Sequence, residues 1–224
     1  MTAIQGLGPA ETAIDRHCQD FPTGPYPSAG LYFESYIAIA AEAGSSVDVA
    51  ALEEAALILL DAYRRGATVF ACGNGGSAAI ANHLECDHVK GVRTNTDLSP
   101  RVVSLSSNIE LITAIANDIS YDEIYAYQLQ SQSVPGDILI AISSSGRSAN
   151  IVRALTWARD HGIRTIALTG FSGGDAKDIS DVAIHVRREN YGIVEDVHQA
   201  IMHALAQYIR QSRMPPDAIS SNVF

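Results

Sequence analysis

Cysteine is scarce in this sequence: three residues, Cys18, Cys72 and Cys86, an odd number with no CxxC pair. A disulfide framework and a cysteine zinc site are therefore not signalled, and a reducing cytosol fits the pattern. Cations are also in short supply, with 15 Lys and Arg against 25 Asp and Glu and a formal charge of −10. Proteins that bind phosphate backbones neutralise them with clustered lysine and arginine, and no basic stripe occurs here, which argues against a nucleic-acid partner. No run of about 18 apolar residues is present to cross a bilayer. The stretch MTAIQGLGPAETAIDRH lacks a basic start followed by an apolar segment, so neither an export signal nor a membrane partner is expected, and the expected location is cytoplasmic.

What the chain does have is 224 residues with 47% hydrophobic content, enough to bury a sizeable core. Residues 1–28 are rich in proline and glycine and read as an irregular arm. Two helical patterns follow, near 30–44 and 48–65, the second carrying Leu52, Ala55, Ala56, Leu59 and Leu60 at helical spacing after Ser46 or Asp48 as N-cap. Together they predict an N-terminal helical hairpin. From residue 67 onward, short apolar runs (ATVFAC, RVVSLS, DILIAI, IRTIAL, DVAIHV) alternate with helical segments. That alternation predicts an α/β fold with a parallel sheet covered by helices. A last helix near 194–211 places Val194, Val197, Ile201, Leu205 and Ile209 on one face before MPP ends it. Residues 29–212 read as a single domain and 213–224 as a C-terminal tail.

In an open parallel sheet, ligands sit outside the carboxyl ends of the strands. Two loops there have suitable chemistry. CGNGGSAA supplies Gly73, Gly75 and Gly76 for close backbone approach and Ser77 at a helix start; AISSSGRSAN supplies Ser143, Ser144, Ser145 and Ser148. Unpaired N–H groups at a helix start, ringed by hydroxyls, suit a phosphate ester. Serine and glycine are common in any strand-to-helix turn, so one such loop alone would signify little; two shift the balance. No nucleotide cofactor is expected: GxxxxGK[ST] is absent, and although GNGGSA fits a loose dinucleotide pattern, RVVSLSS does not end in the acidic residue that would hold a ribose.

The segments CGNGGSAAIANH, AIANDISYDEIYAYQL, AISSSGRSANIVRAL, ALTGFSGG and VEDVHQAIMHAL, in this order, resemble the sugar isomerase (SIS) domain family and, within it, the bacterial phosphoheptose isomerases. The likeness spans roughly residues 30–211. It implies a flavodoxin-like three-layer α/β/α sandwich on a five-stranded parallel sheet, and a homotetramer with sites at subunit interfaces. It also implies aldose–ketose isomerisation of D-sedoheptulose 7-phosphate to D-glycero-D-manno-heptose 7-phosphate through an enediol. By position, the substrate-binding residues fall on Asn74, Gly75, Gly76, Ser77, Asp87, Asn117, Asp118, Ser143, Ser144, Ser145, Ser148 and Glu195. The catalytic base falls on Asp87, where the family has glutamate, and the acid on His203. Glu195 stands where the family has glutamine. Some members bind zinc through the positions of His83, Asp87, Glu195 and His203, and two imidazoles with two carboxylates form a good divalent-cation set.

The residues themselves are consistent with this. His83 and Asp87 are four apart on one helix face, and Glu195, Gln199 and His203 step by four along the last helix. Ketose–aldose exchange needs a base at carbon and an acid at oxygen, or a metal polarising both oxygens. His88, His161, His185 and His198 read as surface or structural. Isomerisation of another ketose phosphate, and a non-catalytic SIS module that binds phosphosugar or protein, stand as alternatives.

Overall fold

The computed structural model describes residues 21–223. Most of the expected irregular arm, residues 1–20, lies outside the described residues. The helical hairpin forms as α1 (Ala29–Ser45) and α2 (Val49–Arg65). Ser28 caps α1 by accepting from the Leu31 N–H, and Asp48, one of the two candidate caps, accepts from the Ala50 N–H. Gly66, in the left-handed conformation at φ 71°, ends α2.

Each apolar run becomes a strand: β1 (Thr68–Gly73), β2 (Arg101–Ser104), β3 (Ile138–Ser143), β4 (Arg164–Thr169) and β5 (Val182–His185). All pair in parallel in the order β2-β1-β3-β4-β5. Because side chains alternate along a strand, each run feeds two cores. Val69, Ala71, Ile138, Ile140 and Ile142 pack with the hairpin helices, α3 (Gly76–Cys86) and α8 (Tyr191–Gln211). Phe70, Cys72, Leu139 and Ala141 pack on the opposite face, against α4 (Ile109–Asp118), α5 (Ala126–Gln132), α6 (Ala149–Asp160) and α7 (Gly174–Ile179). This is the three-layer α/β/α sandwich. A helical turn, α9 (Pro216–Ile219), lies within the segment read as a tail, and Arg213 pairs with Asp97 at 2.6 Å.

The topology places the site. From β1 the chain turns to α3 on one face, and from the adjacent β3 it turns to α6 on the other. The two loops diverge, and the crevice between them is the switch point at which open α/β sheets bind ligands.

Candidate active site

The first loop is shaped by its glycines. Gly75 adopts φ 55° with ψ −122°, which side chains rarely allow. A Cβ on Gly76 would come 2.1 Å from Oε2 of Glu195, so the bare Cα is what lets that carboxylate rest on the loop. The second loop begins as β3 ends. Ser143 Oγ accepts from the Gly146 N–H at 3.2 Å, and Gly146, at φ 65°, passes so close to Gly173 that a Cβ would sit 1.7 Å from its carbonyl oxygen. Ser148 is the N-cap of α6, yet its hydroxyl makes no capping bond and stays available.

A reciprocal amide pair ties the loops together: Asn74 Nδ2 donates to Asn150 Oδ1 and Asn150 Nδ2 to Asn74 Oδ1, both at 2.9 Å. Asn150 is 1% exposed, and the Tyr121 and Tyr125 hydroxyls also donate to Asn74 Oδ1. Between the loops lies a cavity of about 150 Å³, lined by Asn74, Ser77, the four serines of the second loop, Tyr191 and Glu195. Ser144 Oγ is buried in its wall with no hydrogen-bond partner. A buried hydroxyl left unpaired costs stability unless a ligand satisfies it, so the cavity is chemically incomplete by itself. Burial, and then the neighbouring Asp196, push the Glu195 carboxyl above its ordinary pKa.

The acid–base residues meet further along α8. The Nδ1–H of His203 donates to Oδ2 of Asp87 at 2.7 Å, and His83 Nε2 lies 3.3 Å from Oδ1 of the same carboxylate. The His83 and His203 rings meet edge to face with centroids 4.8 Å apart. Gln199 Nε2 reaches His203 Nε2 at 3.0 Å, so both nitrogens of the imidazole are held. Asp87 opens a π-helical turn, Asp87–Val92, that continues α3. Its next residue, His88, is fully buried and bonds the Tyr63 hydroxyl through Nδ1 at 2.6 Å. That bond ties the turn to α2. A cavity of about 520 Å³ opens beside Asp87 and His203, with Lys90 and Gln207 on its wall.

Three of the four residues read as metal ligands come together: single donor atoms of His83, Asp87 and His203 lie within 4.8 Å of one another. Two imidazoles and a carboxylate leaving an open position suit a catalytic zinc ion, so the residues fit a divalent cation. Glu195 stands outside this group. It precedes His203 by eight residues, about 12 Å of helix rise, and its carboxylate lies on Gly76 in the loop cavity instead.

Ser77, Ser143, Ser144, Ser145, Ser148 and Asn74 line the loop cavity together, while Gly75 and Gly76 belong to the loop beside it. Asn117 and Asp118 do not line it; they are exposed at the end of α4 and bond each other at 2.7 Å, close in sequence to Tyr121. Asn150, Tyr125 and the Tyr63–His88 pair carry no local signal, because each acts through a distant partner.

A family model described as SIS domain matches residues 32–170. The chain is 38% identical over 169 residues to a phosphoheptose isomerase of Alteromonas mediterranea, covering 74% of this chain and 85% of that one. It is 33% identical over 178 residues to a phosphoheptose isomerase of Akkermansia muciniphila, covering 80% and 90%. The fold matches the structure of a phosphoheptose isomerase from Francisella tularensis with TM-score 0.73 and 31% identity, covering 81% and 96%.

Proposed function

This chain belongs to the SIS domain family, and on that premise we propose that it is an aldose–ketose isomerase converting D-sedoheptulose 7-phosphate to D-glycero-D-manno-heptose 7-phosphate. The observation that carries the reading is the arrangement along α8. At its start, Glu195 borders a small cavity walled by serine hydroxyls, one of them orphaned; two turns later His203 meets Asp87. A phosphate seated on the serine loop anchors the sugar so that its carbonyl end extends to the acid–base pair, and binding energy gathered at the remote phosphate positions the reacting carbons.

Asp87 Oδ2 is committed to His203, whereas Oδ1 has only the longer contact to His83 and is the oxygen free to act. As base it removes the proton from C1 of the ketose. The C–H electron pair forms the C1=C2 double bond, and the C2 carbonyl oxygen takes a proton from His203. With Nδ1–H held by Asp87, His203 enters this step doubly protonated and gives up the proton on Nε2, the substrate oxygen taking the place of the Gln199 amide. Asp87 then returns its proton to C2 while His203 Nε2 takes the O1 hydroxyl proton, giving the aldose and restoring both groups. Positioned acid–base groups contribute about a hundred- to ten-thousand-fold in rate.

A divalent ion, zinc by ligand type, belongs to the proposal on His83, Asp87 and His203, where when bound it supplies polarisation of the sugar oxygens. A cytoplasmic homotetramer with its sites at subunit interfaces is part of the same reading. Association is supported by an apolar groove of about 500 Å³ between α1, α2 and α8 and by exposed Leu31, Phe33 and Ile37 on α1. Among the described residues no helix is long and apolar enough to cross a membrane.

The test is turnover of sedoheptulose 7-phosphate by the purified chain, beside a panel of shorter ketose phosphates. Aldose formation fastest with the heptulose supports the proposal. Faster conversion of another ketose phosphate moves the substrate, and binding without any turnover identifies a non-catalytic module.

A further inference from the structure

We infer that Glu195 is a specificity-determining residue that makes the loop cavity reject free phosphate and accept phosphate carried on a polyol. The inference rests on the sugar-phosphate reading of that cavity. Among the described residues no lysine or arginine lines it; its donors to an anion are serine hydroxyls and the amides at the loop ends. The charged side chain present is the carboxylate of Glu195, seated on the bare Cα of Gly76 and facing the same space as the unpartnered Ser144 Oγ. No donor among the described residues bonds that carboxylate, although it is only partly exposed.

A phosphate dianion on the serines lies beside a second negative charge in a space of about 150 Å³, and like charges at such range oppose binding. The cavity is open past Glu195, so the carbons next to a phosphate on the serines pass Glu195 toward Gln199 and His203 on the following turns. Their hydroxyls are the donors that the carboxylate lacks, and a hydrogen bond to a charged acceptor is worth more than one between neutral groups. A polyol ester therefore offsets the repulsion that inorganic phosphate meets uncompensated. Specificity gained by penalising the wrong ligand needs such a repulsive element.

The experiment is calorimetric titration at pH 8 of the wild-type chain, Glu195→Ala and Glu195→Gln with inorganic phosphate and with a hexitol 6-phosphate. The hexitol carries the hydroxyls without a carbonyl, so its binding does not depend on turnover. We expect Glu195→Ala to bind inorganic phosphate more tightly and the hexitol phosphate no better. Its preference for the ester should fall about tenfold or more, the equivalent of one charge-assisted hydrogen bond. Glu195→Gln should also bind inorganic phosphate more tightly but keep more of the preference, since its amide oxygen still accepts. An unchanged preference in Glu195→Ala, or inorganic phosphate bound no more tightly by either variant, overturns the inference. A wild-type chain that prefers the ester, loses that preference on Glu195→Ala and leaves sedoheptulose 7-phosphate unconverted supports this inference while refuting the isomerase activity.

Discussion

The loop cavity and the acid–base cluster stand two turns apart on α8 and are built by opposite means. At the cavity, backbone sets the shape through glycines in conformations closed to other residues and through helix starts, and one buried side-chain pair, Asn74–Asn150, with Asn150 1% exposed, locks it. At the cluster, side chains from α3, its π-helical continuation and α8 meet in half-open space, with His83 49%, His203 41% and Asp87 21% exposed. A binding site has to present fixed donors to an unreactive group, and backbone supplies these without rotamer entropy. A proton-transfer site needs groups that change protonation and partners, which partly solvated side chains can do.

If this contrast is right, damage at the two places has different kinetic signatures. The largest effect is expected from Asp87→Asn, which removes the base but not the phosphate contacts. Its kcat should fall about a hundred- to ten-thousand-fold with little change in KM, as measured by steady-state turnover of sedoheptulose 7-phosphate. A KM effect of similar size would erase the distinction.

The buried imidazoles sharpen it from another side. His88 and His198 sit in the interior, and burial pushes both down from 6.5 to about 4. The folded state therefore holds them neutral, and between those values the unfolded chain binds more protons. Their contribution is fully present above pH 6.5 and is lost as pH falls through the window toward 4, up to about 3 kcal/mol for each histidine. Urea unfolding of the wild-type chain across this range should show that loss, and a flat profile would contradict it.

Ser144→Ala tests the binding end. It should raise KM about tenfold, the worth of one hydrogen bond to a charged group, and leave kcat nearly unchanged. The smallest effect expected at the reacting end is that of Gln199→Leu, which frees His203 Nε2 of its amide partner. Because the substrate oxygen displaces that amide, we expect KM to fall by about fivefold at most, with kcat nearly unchanged and an unchanged thermal midpoint, since Gln199 is only partly buried.

The same division explains what could be read without coordinates. Strands such as DILIAI are legible because a buried parallel strand is apolar on both faces, and the glycine and serine loops because their residue types follow from local backbone needs. His83 and Asp87 are legible through helical spacing. What depends on long-range contact is not legible, at the cavity or at the reacting end. Asn74 and Asn150 are 76 residues apart, Tyr63 and His88 are 25 apart, and nothing in either local sequence announces the partner. The π-helical turn that carries Asp87 likewise leaves no periodic trace. The family resemblance placed Glu195 among the metal ligands by position, and a position along a helix does not fix where a side chain turns; in the fold its carboxylate lies on Gly76.

The most direct measurement is a crystal structure of the Asp87→Asn variant with sedoheptulose 7-phosphate. The phosphate should lie on Ser143–Ser148 with Ser144 Oγ bonded to it, and C1 and the C2 oxygen should face residue 87 and His203. A phosphate seated elsewhere, or a carbonyl end pointing away from that pair, would contradict the division of labour along α8.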